Sequence, residues 1–86
     1  MCTYQTQRIA VSASAKMTRG WTPVTDATIY FDHPVHFPAD HALMIDVANP
    51  ALGPDARVAL EMDATSARAL ALTILDALAA LPAGML

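Results

Sequence analysis

Helical periodicity appears once in this chain, near its C-terminal end. From about Thr65 to Leu81 the residues Leu70, Ile74, Ala77, Leu78 and Leu81 recur at the spacing of one helix face. Asp63 through Ser66 offer caps at the start of this run, and Pro82 and Gly84 stop it. Everything earlier either alternates with a period of two or is broken by proline and glycine. Four extended segments are therefore expected to precede one helix.

The first strand is expected over about Tyr4–Ala13, where Ile9, Val11 and Ala13 alternate with Arg8, Ala10 and Ser12. Ser14 to Pro23 contains Gly20, Pro23 and two basic residues and reads as a loop holding Trp21. The second strand, about Asp26–Asp32, is rich in β-branched and aromatic residues. Residues 33–41 (HPVHFPADH) form a stiff connection, because Pro34 and Pro38 each remove a backbone donor and keep the preceding residue extended. A third strand follows over about Ala42–Val47. Asn49-Pro50 and Gly53-Pro54 then bracket a turn, and a fourth strand spans about Arg57–Met62. Short connections favour an antiparallel meander, so the expected fold is α+β: a four-stranded sheet with the C-terminal helix packed across one face.

A chain of 86 residues is long enough for one domain and no more. It is 55% hydrophobic and 15% charged, which excludes a disordered polar tail. Alanine supplies 18 of the residues, so the core is rich in small side chains and calls for a partner subunit or a metal. The helix is apolar beyond its main stripe, since Leu72 lies off it. Homodimerisation is the simplest way to cover such a surface. A net charge of −3, with scattered basic residues, argues against a nucleic-acid partner. No segment approaches the ~20 apolar residues of a membrane span, and the N-terminus does not read as a signal peptide. A single cysteine, Cys2, excludes an intrachain disulfide, and a cytoplasmic location is expected.

The strongest compositional event is the clustering of all three histidines, His33, His36 and His41, within nine residues, with Asp32, Asp40 and Asp46 close by. Three imidazoles form a common first shell for a divalent transition metal: zinc first, with iron, copper, nickel or cobalt as alternatives. An aspartate would complete the shell or orient a ring, and Cys2 is a further candidate ligand. An open coordination position would make the protein a metal-dependent enzyme acting on a small organic molecule. Asp32 beside His33, or Asp40 beside His41, would suit metal-free acid–base catalysis, so these two aspartates are the catalytic candidates. Structural hydrogen bonding is the plainest alternative for the same residues. In a further alternative, Trp21, Tyr30 and Phe37 line an apolar groove in a metal-free dimeric ligand-binding or interaction module. Cys2 also reads as a small buried residue, and Tyr4 and Tyr30 as core residues with polar tips. Asp46 either faces solvent or pairs with a basic side chain.

The strings MCTYQT, GWTPVTDATIYFDHPVHFPADH and LEMDATSARALALTILDAL resemble a group of short actinobacterial proteins described as a domain of unknown function. The resemblance covers nearly the whole chain. It is most specific at Asp32, His33, Pro34, Val35 and His36, with His41 after them. It implies a bacterial cytoplasmic protein and assigns no catalytic residue.

Overall fold

A computed structural model describes residues 5–85. Four strands, β1 (Gln7–Met17), β2 (Gly20–Asp32), β3 (Ala42–Ala48) and β4 (Arg57–Met62), form one antiparallel sheet in the order β1-β2-β3-β4. A single 3-10 turn, Pro50–Leu52, joins β3 to β4, and the helix α1 (Ala64–Ala79) closes the chain. The fold is thus the α+β meander with a C-terminal helix. The expected start of the first strand at Tyr4 lies outside the described residues.

The segment expected to be a loop, Ser14 to Pro23, is instead the end of a long hairpin. Ser14 pairs with Pro23, Ala15 with Thr22, Lys16 with Trp21 and Met17 with Gly20, leaving Thr18 and Arg19 as the turn. Gly20 has φ +124°, which a residue with a Cβ rarely adopts. Pro23 is tolerated because pairing between β2 and β3 begins only at Asp26, so this stretch of β2 has one open edge. A bulge between Ala10 and Ala13 shifts the register within the hairpin.

Register sorts the side chains sharply between the two faces. The rows Ile9–Ala27–Val47–Val58, Gln7–Ile29–Ile45–Leu60 and Phe31–Leu43–Met62 share one face. The rows Arg8–Thr28–Asp46–Ala59, Ala10–Asp26–Ala48–Arg57 and Tyr30–Met44–Glu61 share the other. Every charged residue of these six rows therefore lies on one face, and the opposite face is apolar there except for Gln7 at its margin; Ser14 and Lys16, paired with Pro23 and Trp21, join that face only toward the hairpin tip. On the polar face Arg8 bonds Asp26 at 2.6 Å and Arg57 bonds Asp46 at 2.8 Å. These exposed pairs fix register more than they add stability.

Asp63 caps α1 by accepting the Ser66 N–H at 2.7 Å. The helix follows the sheet as the periodicity predicts, but the expected close packing over one face is absent. No residue of α1 is buried, and its main approach is to β3. The physical reason is the connection. Asp63 alone separates β4 from α1, whereas strand-to-helix connections usually take 2–6 residues. The buried residues are few and mostly small: Val24, Ala27, Ala42, Met44, Asn49 and Ala56. Among the described residues no helix is long and apolar enough to cross a membrane.

Candidate functional site

The connection between β2 and β3 carries all three histidines, and its shape follows from its two prolines. Between Pro34 and Pro38 lie three backbone donors, on Val35, His36 and Phe37, that no strand partner reaches. Phe37 is half-buried while Val35 and His36 are exposed, and all three amides take Glu61 of β4 as acceptor in place of water. Its carboxylate accepts the N–H groups of Val35 (2.5 Å), His36 (2.9 Å) and Phe37 (2.7 Å). The amides of Val35 and Phe37, in that order, hold the Glu61 carboxyl below its ordinary value. Glu61 shares its row with Tyr30 and Met44, so the loop folds down over the polar face and helps bury Met44.

His33 fastens the loop at its other end. Its Nδ1 lies 2.8 Å from the carbonyl oxygen of Asp40. A carbonyl only accepts, so Nδ1 carries the proton and Nε2 keeps a lone pair when the ring is neutral. His41 lies nearby, its ring centroid 4.6 Å from that of His33 with the planes 31° apart, and it stacks on Phe31 at 5.9 Å. His36 is exposed on the polar side, with its backbone on Glu61. The loop thus brings His33 to His41, while His36 is held on the polar side through its backbone. Among the described residues no group of three or more His, Cys, Asp or Glu side chains is placed to hold a metal ion.

The two candidate acids meet His33 differently, Asp32 through its carboxylate and Asp40 through its main chain. The Asp32 carboxylate accepts the N–H of His33 at 2.7 Å, and His33 reaches the main-chain carbonyl of Asp40. Asp46, which the sequence left between solvent and a basic partner, has the partner. Its carboxylate accepts from Arg57 at 2.8 Å and from the Tyr30 hydroxyl at 3.3 Å. Burial, and then the Asp46 charge, hold the Tyr30 phenol above its ordinary value. Cys2 and Tyr4 lie outside the described residues.

These groups border an open cleft of about 520 Å³ between the loop and the polar face, lined by Tyr30, His33, His36, Phe37, Met44 and Arg57 among others. Tyr30 and Phe37 are together there, as the apolar-groove reading expects. Trp21 is not, since it pairs with Lys16 at the far end of the hairpin and is 69% exposed. A more open hollow of about 740 Å³ lies at that far end, between the hairpin tip and β4. Glu61 and Arg57 are the residues that sequence reasoning passed over. The signal was available: a run of three donors between two prolines needs an acceptor, and Glu61 is the carboxylate at the adjoining end of β4.

A family of unknown function, DUF6295, matches residues 1–86, the whole chain. The chain belongs to that family. No curated protein and no solved structure matches this DUF6295 chain.

One expected outcome concerns the loop directly. Because the Glu61 value is lowered on folding, its contribution is complete above the ordinary glutamate range and is lost as pH falls through the lower folded value. The amide protons of Val35, His36 and Phe37 should move together in an NMR titration in that acidic window. Glu61→Gln should abolish the transition and speed exchange of the same amides. A titration of these amides that survives Glu61→Gln would show that another group holds the loop.

Proposed function

We propose that this protein is a self-associating module, functional as a homo-oligomer, whose loop-and-sheet cleft takes a small organic ligand. The observation that carries the reading is the absence of a core adequate to one chain. Among the described residues no large side chain is fully buried, and the chain exposes 6608 Å². A compact monomer of 9.1 kDa exposes about 4,900 Å² by the surface–mass scaling of folded proteins. The radius of gyration, 14.6 Å, also exceeds the roughly 12 Å of a compact chain of this length. The surplus surface is apolar where it matters. Leu72, Ile74, Leu75 and Leu78 of α1 are each about half exposed, as are Ile9 and Leu60 of the sheet. Exposed apolar area on this scale marks an interaction surface. A cytoplasmic setting suits a chain with one cysteine, and we include it in the proposal.

Light scattering coupled to size exclusion tests the reading. The untagged protein should elute as a multiple of 9.1 kDa, and its melting temperature should rise with protein concentration, because association and folding are linked. A stable monomer with a concentration-independent melt would overturn it.

One observation favours metal binding as a second reading. A ring held by Nδ1–H to a carbonyl, as His33 is, presents Nε2 the way metal-ligating histidines do. Elemental analysis of untagged protein separates the two readings. The self-associating module keeps its melting temperature in chelator. About one transition metal per chain, lost in His33→Ala, would put the metal reading in its place.

A further inference from the structure

The apolar face of the sheet and the apolar helix belong to the same chain, yet neither covers the other. Ile29 remains 36% exposed and Leu60 49%, while Leu75 and Leu78 of α1 are 61% and 48% exposed. The connection explains why. β4 ends at Met62 and α1 begins at Ala64, so Asp63, already committed as the helix cap, leaves no slack to fold α1 back over its own sheet.

We propose that α1 of each protomer seats on the apolar sheet face of a second copy, reciprocally, about a two-fold axis. This rests on the self-association argued above and adds which surfaces meet. The two surfaces match in length: 16 helical residues span about 24 Å, and the seven residues of β3, through the middle of the face, span about 23 Å. They also match in chemistry. The rows through Ala27, Ile29 and Phe31 hold no charge, the nearest on that face being Lys16 at the hairpin tip, and the only charged residues of α1 are Arg68 and Asp76. A second copy of this chain is the one occupant always present at equal concentration with a complementary helix. The area agrees as well. The surplus over a compact monomer is about 1,700 Å² per chain. Twice that lies within the roughly 2,000–5,000 Å² of obligate homodimer interfaces. The polar face, with Glu61 and the cleft, stays outside the interface, and the histidine loop touches the apolar face only at its end, where His41 stacks on Phe31.

The test uses full-length protein mixed from ¹³C-labelled and unlabelled protomers. Isotope-filtered NOE spectra should show cross-peaks between protomers joining methyls of Leu75 and Leu78 to methyls of Ile29, Ile45 and Leu60. A dimer whose filtered cross-peaks join only sheet to sheet, or only helix to helix, would sink the exchanged-helix arrangement and leave self-association standing. The same helix-to-sheet contacts within one protomer, in a particle of 9.1 kDa, would sink both.

Discussion

Ile45→Asp is expected to leave the protein monomeric and largely unfolded. Ile45 lies in the middle of the apolar face, paired with Ile29 on one side and Leu60 on the other. In a single chain it is only half-buried, so a monomer would accommodate the change at moderate cost. In the proposed dimer it lies beneath a neighbour's helix, and the substitution acts twice. Each site loses about 2–3 kcal/mol of apolar burial before the cost of desolvating a carboxylate is added. Two such losses weaken association by at least about 1000-fold. Because the single chain lacks a core of its own, dissociation and unfolding come together. Light scattering and far-ultraviolet circular dichroism should lose the dimer and the cooperative melt in the same variant. Val35→Lys is the control. Val35 is 98% exposed on the histidine loop, away from the apolar face, and should keep both signals. An Ile45→Asp protein that melts like the parent would place the interface elsewhere.

The contrast between these two positions shows what the sequence made legible. Composition and alternation located the four strands, and the helix stripe located α1 to within a few residues at each end, because both patterns follow from backbone geometry alone, while the common face of Ile29, Phe31, Val58, Leu60 and Met62 needed the strand register. The hairpin was obscured for a local reason. Ser14, Lys16, Gly20 and Pro23 are turn-forming residue types, but strand pairing with an open edge overrides that preference. The partner of the helix was obscured for a different one. Periodicity says that a stripe will be covered and is silent on which chain covers it, whereas the single-residue link at Asp63 speaks to that directly. At the site, clustering singled out this loop and read its histidines as a shared ligand set, whereas among the described residues no group of three such side chains is placed to hold a metal ion. The prolines that stiffen residues 33–41 also create unpaired amides, and satisfying these through Glu61 sets where each imidazole goes. Composition counts imidazoles; only the hydrogen-bond demands of the backbone orient them.

Those demands make Met44 the position where loop, sheet and stability meet. Met44→Ala is expected to cost about 2–5 kcal/mol, the usual range for truncating a buried methionine. Met44 is 5% exposed and is the bulkiest of the few buried apolar side chains, lying between Tyr30 and Glu61 in the row that the histidine loop covers. A cavity there removes the floor of the cleft as well as core volume. With total stability of roughly 5–15 kcal/mol for a domain, such a loss takes a large share. It should also have a signature that interface substitutions lack. Met44 is on the polar face, so at concentrations where the protein remains folded Met44→Ala should stay dimeric. Its denaturation midpoint should fall, and the amides of Val35, His36 and Phe37 should exchange faster because Glu61 loses the packing beside it. A variant that instead dissociates while keeping those amides protected would mean that the polar face, and not the apolar one, is where the copies meet.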